Sequence, residues 1–164
     1  MWRDDYHYDL PEHLIAQRPA ERRQGSRLMN VPTVGTPTIG PFTEIVEQFR
    51  GDEILVVNDT RVVPARIKGH KTTGGAAEVF FVESRGKNRI KALVRGKRMR
   101  PGTVIELPQA RATIIEPLDQ GAQLIELEGV TDLWNWLEAV GEVPLPPYIK
   151  RDADHADRDR YQTV

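Results

Sequence analysis

The sequence contains no cysteine, which excludes disulfide bonds, thiolate nucleophiles and cysteine-ligated zinc. It also lacks a long apolar segment, because the aliphatic run at residues 54–57 is far shorter than the roughly 20 residues that a membrane-spanning helix needs. The absence of cysteine is typical of a reducing compartment. We therefore expect a cytoplasmic protein without a membrane segment.

A surplus of positive charge is missing too. The chain carries 23 basic and 24 acidic residues, for a formal charge of −1, so no overall field attracts it to nucleic acid and any RNA contact must rely on local patches. The four histidines, at positions 7, 13, 70 and 155, do not have the spacing of metal ligands, and we expect no metal site.

The first 64 residues predict a mixture of helix and strand. Residues 12–17 follow a proline and predict a short helix, and residues 43–49 predict a second one, with Gly51 just beyond its end. Residues 53–58 form an almost continuous aliphatic run, which is typical of a central strand that is covered on both faces.

Short alternating runs then predict a small antiparallel barrel. The predicted strands are residues 77–83, 89–95, 103–107, 112–115 and 123–127. A helix at residues 131–140 follows, with Leu133, Trp136, Leu137 and Val140 on one apolar face and Gly141 as its C-terminal cap. Three prolines then lead into residues 150–160, whose high charge predicts an exposed segment.

The predicted fold class is therefore an incomplete α/β domain that is interrupted by a small antiparallel β-barrel. Residues 1–64 and 144–164 are assigned to parts of the α/β domain. Residues 65–143 are assigned to the inserted barrel and its terminal helix.

Polar residues follow directly on the predicted central strand, where open α/β sheets bind their ligands. Asn58 and Asp59 offer acceptors for ribose hydroxyls or an amine, and Arg61 offers a bidentate partner for a carboxylate or phosphate. The alternative is a structural turn at Asn58, capped by Thr60, with Arg61 and Arg66 on the surface.

Two stretches are locally basic. The first contains Arg18, Arg22, Arg23 and Arg27 and offers contacts to phosphates, although arginines in loops are often merely solvated. The second is more strongly basic and consists of Arg85, Lys87, Arg89, Lys91, Arg95, Lys97, Arg98 and Arg100. It favours a contact to a nucleic-acid backbone, whereas the alternative is the polar outer face that a barrel strand needs in any case.

Several segments together closely resemble one family, the S-adenosylmethionine:tRNA ribosyltransferase-isomerases of queuosine biosynthesis. They occur in the family's order along the whole chain: YDLP (8–11), IAQRP (15–19), SRL (26–28), NDTRVVPAR (58–66), LPPYIKR (145–151) and RYQTV (160–164). Two differences stand out: Asp59 replaces a common second asparagine, and Ala76 follows Gly75 where members commonly have lysine.

The resemblance implies an α/β domain interrupted by a β-barrel and an enzyme that uses S-adenosylmethionine without a metal. Such an enzyme moves the ribosyl group of S-adenosylmethionine onto the 7-aminomethyl-7-deazaguanine at the tRNA wobble position, giving epoxyqueuosine, adenine and methionine. Asn58, Arg61 and Arg66 are then candidates for binding the ribosyl donor, and Asp59 is the candidate base, since a sulfonium acidifies the adjacent ribose carbon.

The same resemblance implies contacts to tRNA in extended, cationic or aromatic segments. The candidates are Arg18, Arg22, Arg23, Tyr148, Lys150 and Arg151. Family members continue beyond the last motif into a segment containing PTAGLHF, so we expect these 164 residues to be an N-terminal portion, monomeric and inactive alone. Two alternatives remain open, a short RNA-binding module without catalysis and a folding remnant without function.

Overall fold

Strands make up most of the regular structure. The computed structural model describes residues 2–162, so the last two residues of the RYQTV motif lie outside the described part. The strands are β1 Arg27–Asn30, β2 Thr38–Pro41, β3 Arg66–Lys71, β4 Ala76–Ser84, β5 Arg89–Gly96, β6 Val104–Leu107, β7 Ala110–Pro117 and β8 Ala122–Glu128. The α-helices are α1 Leu133–Val140 and α2 His155–Arg160.

Six of the strands close into an antiparallel barrel in the order β3-β4-β5-β8-β7-β6. Every second side chain points inward, as the pleat of a barrel strand requires. The large side chains that fill the interior are β-branched, namely Ile67, Val79, Ile90, Ile105, Ile114 and Ile125, and the alanines Ala92 and Ala112 are equally buried. The predicted barrel is therefore confirmed, and all five predicted strands are present with ends shifted by a few residues. Strand β3, which was not predicted from the sequence, pairs with both β4 and β6 and closes the barrel.

Helix α1 packs at the end of the barrel where β6 turns into β7. Its N-terminus is capped by the Asp132 carboxylate, which accepts a hydrogen bond from Asn135 N–H at 3.0 Å. Trp136 and Leu137 are buried, and the Trp136 indole N–H donates to the Pro108 carbonyl at 3.0 Å. The predicted apolar face is thus confirmed. We call this the helix end of the barrel; the turns at residues 72–75, 97–103 and 118–121 form the opposite, loop end.

The chain leaves α1 through a tight contact with the segment that enters the barrel. A Cβ atom on Gly141 would lie 1.9 Å from the Pro64 carbonyl oxygen, so only glycine fits at this crossing. Glu142 then pairs with Arg66 through two backbone hydrogen bonds, at 3.2 and 2.8 Å. Gly141 is the predicted C-terminal cap, with an ordinary negative φ of −77°.

The charged segment at residues 150–160 is exposed at six of its eleven positions, in line with the prediction, but it also contains a helix and a buried residue. Its second half forms α2, whose N-terminus is held by a reciprocal capping box between Asp154 and Asp157. Asp157 is 1% exposed. The composition of the segment did not indicate that one aspartate, Asp157, is buried and accepts a hydrogen bond from the Asp154 backbone N–H at the start of the helix.

The described residues divide into two compact units. One comprises residues 61–144 and 153–162 and contains the barrel, α1 and α2; the other comprises residues 2–60 and 145–152. Every buried residue of the described chain belongs to the barrel unit. The other unit consists of the β1–β2 hairpin, short 3₁₀ turns and irregular segments.

The central strand predicted at residues 53–58 is absent from the described chain. Those residues are irregular, and the side chains of Ile54, Leu55, Val56 and Val57 are 65–91% exposed. A strand needs hydrogen-bonded neighbours, and residues 2–162 supply none for this run. The α/β part of the predicted fold class is therefore not confirmed. The two predicted helices nearby are 3₁₀ turns instead, at Glu12–Leu14 and Phe42–Gln48.

Candidate functional site

The Asn58 side chain forms a local turn. Its Oδ1 atom accepts hydrogen bonds from Thr60 N–H at 3.0 Å and from the Thr60 hydroxyl at 2.8 Å. This is the Asx turn that the sequence analysis left open as the structural alternative. Asn58 and Asp59 are both exposed, so the turn presents the Asp59 carboxylate to solvent.

Arg61 lies in the barrel unit and makes an ion pair with α1. Its guanidinium is 2.9 Å from Glu138 Oε1, and the two side chains are 73% and 41% exposed. Exposed pairs of this kind contribute only about 0–1 kcal/mol. Another carboxylate could therefore replace Glu138 as the partner of Arg61 at little cost in free energy.

Arg158 of α2 caps the C-terminus of α1. Its two terminal nitrogens donate to the carbonyls of Glu138 at 3.1 Å and Gly141 at 3.0 Å, where a helix has unpaired acceptors and a negative dipole end. Arg158 and Arg61 line the same open cleft of about 420 Å³, together with Pro64, Glu138, Val143, Asp159 and Gln162. Its size is within the range of small-molecule sites.

Arg66, the third candidate for binding the ribosyl donor, is engaged in the barrel wall. Its Nε and terminal nitrogens both lie 2.7 Å from Glu78 Oε2, and the two side chains are only 26% and 16% exposed. A ligand at Arg66 would first have to replace Glu78.

Gln17 makes hydrogen bonds to three of the candidate tRNA-binding residues. Its amide donates to the Tyr148 carbonyl at 3.1 Å and accepts from Lys150 N–H at 2.7 Å, while Arg151 Nε donates to the Gln17 carbonyl at 2.8 Å. Arg18 follows Gln17 directly. The IAQRP and LPPYIKR segments, far apart in sequence, therefore form one cluster, which we call the Gln17 cluster.

Glu12 neutralises Lys150 within this cluster. The Lys150 ammonium hydrogen-bonds the Glu12 carboxylate, and this hydrogen bond, together with the charge of Lys150, holds the Glu12 pKa below its ordinary value. Arg22 and Arg23 lie at a separate 3₁₀ turn, Arg23–Gly25, and are exposed.

Sequence reasoning missed Gln17, Glu138, Arg158 and Gln162. Gln17 and Gln162 stand inside two of the recognised motifs, so their positions were visible although their role as bridges between backbone segments was not. Glu138 and Arg158 lie on helices in stretches that carried no motif.

Two negative findings apply to residues 2–162. They contain no group of three or more His, Cys, Asp or Glu residues that could hold a metal ion. None of the helices described there has the length and apolar character needed to cross a membrane.

The fold is that of a barrel protein whose open cleft is lined by two arginines and two acidic residues. The family described as queuosine biosynthesis protein matches residues 3–164, and the chain belongs to that family.

Relatives with curated names support this membership. An S-adenosylmethionine:tRNA ribosyltransferase-isomerase of Trichlorobacter lovleyi is 44% identical over 98% of this chain and 48% of its own length. The proteins of the same name from Pelobacter propionicus and Geobacter sulfurreducens are each 45% identical, with the same two coverages. The chain thus spans about half the length of these relatives. A solved S-adenosylmethionine tRNA ribosyltransferase from Thermotoga maritima is 30% identical over 73% of this chain and 43% of that one, with a TM-score of 0.37.

Proposed function

We propose that this chain supplies part of an S-adenosylmethionine:tRNA ribosyltransferase-isomerase. The observation that carries the proposal is the similarity to relatives of that name, at 44–45% identity over 98% of the chain. The reaction moves the ribosyl group of S-adenosylmethionine onto 7-aminomethyl-7-deazaguanine in tRNA, and adenine and methionine leave.

Arg61 is proposed to bind the carboxylate of the methionine moiety. Its guanidinium already holds a carboxylate, that of Glu138, through one contact at 2.9 Å in an exposed pair, and the planar guanidinium can bind a ligand carboxylate through two nitrogens. Binding would therefore exchange one carboxylate for another. Arg158 is held by two carbonyls beside the same cleft and adds a fixed positive charge there.

Asp59 is proposed as the base that removes the proton from the ribose carbon beside the sulfonium, and Asn58 as a neighbour that fixes its turn. Support comes from the Asx turn, which leaves Asp59 exposed while Asn58 is bound to Thr60. The role of Arg66 in binding the ribosyl donor stays a prediction. Glu78 occupies its guanidinium, so a ligand there would have to displace this carboxylate.

The tRNA is proposed to contact the Gln17 cluster, through Arg18, Tyr148, Lys150 and Arg151, and the exposed Arg22 and Arg23. Gln17 fixes the backbone on both sides of Ile149, and its own carbonyl holds the Arg151 guanidinium, while Lys150 would exchange the Glu12 carboxylate for a phosphate. An ordered segment loses less conformational entropy on binding than a mobile one.

A chimera tests the proposed function. Residues 1–164 replace the matching segment of the Geobacter sulfurreducens relative, and release of adenine from S-adenosylmethionine is measured with tRNA that carries the 7-deazaguanine precursor. We expect tRNA-dependent release, and none from the 164-residue chain alone. A chimera that melts cooperatively, binds S-adenosylmethionine and still releases no adenine would overturn the proposal.

The same chimera tests the base. Asp59→Asn is expected to lower kcat by about 10²-fold or more, in the range of general-base contributions, with little change in the binding of S-adenosylmethionine. Unchanged turnover would remove Asp59 from this role.

A further inference from the structure

The basic stretch of the barrel separates into cations with acidic partners and cations without them. Four have carboxylates within 4 Å: Arg85 pairs with Glu83 at 3.1 Å, Arg89 with Glu126 at 3.1 Å, Lys91 with Asp119 at 2.8 Å and Arg95 with Glu78 at 3.8 Å. The ion pair also holds the Asp119 pKa below its ordinary value, through the hydrogen bond and charge of Lys91. These four cations are largely neutralised by the barrel itself.

Of the other four cations, Lys87 lies in the turn between β4 and β5 at the helix end, and three lie together in the turn that joins β5 to β6. Lys97, Arg98 and Arg100 are exposed, and within residues 2–162 none of them has a carboxylate partner. No acidic residue occurs in the sequence between Glu83 and Glu106. The turn therefore carries a net positive charge at the loop end of the barrel, away from α1. We call these three residues the basic turn.

The basic turn is anchored rather than loose. Met99 is half-buried and packs against the barrel core, and its methyl group lies so close to Gly96 that a Cβ there would approach it to 2.0 Å. The Lys71 ammonium donates to the Lys97 carbonyl at 3.0 Å. On the far side, Gly102 N–H donates to the Ile114 carbonyl at 2.8 Å.

We propose that the basic turn, together with Lys71, contacts the phosphate backbone of RNA. The inference rests on the proposed function for its choice of an RNA partner and extends it to a second surface at the loop end of the barrel. The turn contains no aromatic residue that could stack on a base, and its cations are assigned to phosphates, which carry no sequence information. Because the turn is anchored, its charges are positioned before the RNA arrives.

A charge-matched pair of triple variants tests the proposal. One is Lys97→Gln, Arg98→Gln, Arg100→Gln in the 164-residue chain; the control is Arg85→Gln, Arg89→Gln, Arg111→Gln, which removes the same charge from residues paired with Glu83, Glu126 and Glu106. Binding of unmodified tRNA is followed as a function of potassium chloride. Thermal melting shows that both variants fold.

The basic-turn variant is expected to reduce the slope of log K against log salt by about 2 to 3, since each phosphate contact contributes a little under 1. The control should reduce it by less than about 1. The single variants Arg98→Gln and Arg100→Gln should each reduce the slope of log K against log salt by about 1. Equal slopes for the two triple variants, an unchanged slope, or no tRNA binding by the parent chain would overturn the proposal.

Vesicles of phosphatidylglycerol and phosphatidylcholine test whether the basic turn binds an anionic membrane surface instead of RNA. Binding to them that depends on the basic turn, in the absence of tRNA binding, would assign the turn to a membrane surface and contradict the proposal. Failure of the proposed function is separate, because it is read from adenine release by the chimera. Loss of that activity would leave the salt slopes of the 164-residue chain unaffected.

Discussion

The side-chain amide of Gln162 makes two hydrogen bonds to the backbone of Val62. Val62 N–H donates to Oε1 at 2.8 Å, and Nε2 donates to the Val62 carbonyl at 3.0 Å. The amide thereby takes the place that a neighbouring strand would occupy. It ties the segment after α2 to the segment that leads into the barrel.

Replacing Gln162 should loosen this tie. Gln162→Ala leaves a partly buried N–H and carbonyl unpaired, so the free energy of unfolding should fall by about 1–2 kcal/mol. In Gln162→Glu the carboxylate can still accept a hydrogen bond from Val62 N–H but cannot donate one to the Val62 carbonyl. The free energy of unfolding of this variant should therefore lie between those of the parent and the alanine variant. Urea unfolding measures the loss, with the exposed Gln48→Ala as control. Equal stability of all four chains would show that the amide bridge contributes nothing.

Gly141 should tolerate no side chain. A Cβ there would meet the carbonyl oxygens of Pro64 at 1.9 Å and Leu137 at 2.6 Å. Both are backbone atoms that cannot rotate away, so Gly141→Ala should lower stability by about 1–3 kcal/mol through overpacking. Gly25→Ala is the matched control, because its nearest neighbours would lie at 3.6–3.7 Å. A melting temperature of Gly141→Ala equal to that of the control would contradict the close approach of Gly141 to the Pro64 carbonyl.

The Glu12–Lys150 pair should be lost in acid. The folded chain holds the Glu12 pKa below its ordinary value, so the pair is fully present above that ordinary value and disappears as the pH falls through the lowered pKa. Carbon-detected NMR of the Glu12 carboxyl follows the titration. Lys150→Gln should shift its midpoint upward, whereas Lys97→Gln should leave it unchanged. Because both side chains are exposed, 1 M salt should also weaken the shift.

Arg61 and Glu138 should affect S-adenosylmethionine binding in opposite directions. Arg61→Ala removes the proposed partner of the methionine carboxylate and should raise Kd about 10-fold or more, as expected for a charged hydrogen bond. Glu138→Gln removes the competing carboxylate and should lower Kd by up to a few fold, given how little an exposed pair contributes. Calorimetry of the chimera measures both. A Kd that rises in Glu138→Gln would mean that Glu138 helps to bind the ligand.

Local patterns predicted the barrel well. The alternation along β5, in which the buried Ile90 and Ala92 alternate with the cations Arg89 and Lys91, is visible in any window of a few residues. The apolar face of α1 is equally local. Strand β3 escaped because its sequence, RIKGHK, contains only one buried aliphatic residue, and its place in the barrel depends on partners far along the chain.

Tertiary contacts explain the remaining misses. The run at residues 54–57 has the composition of a central strand, but a strand also requires neighbours that composition cannot reveal. Arg61 was found because it stands in a motif, whereas Glu138 and Arg158 reach the cleft from two helices whose meeting no local pattern encodes. Helix α2 could have been predicted, since Asp154 and Asp157 have the spacing of a capping box.

The exposed run at residues 54–57 is a candidate site of self-association at high concentration. Four exposed aliphatic side chains, on a segment that pairs with no strand within residues 2–162, form a template onto which another extended chain can add, as in edge-to-edge aggregation. A formal charge of −1 provides little repulsion between molecules. The charges that bracket the run, Asp52 and Glu53 before it and Asp59 after it, act as gatekeepers against such stacking. Replacing these three carboxylates with amides should therefore lower the solubility of the chain at neutral pH.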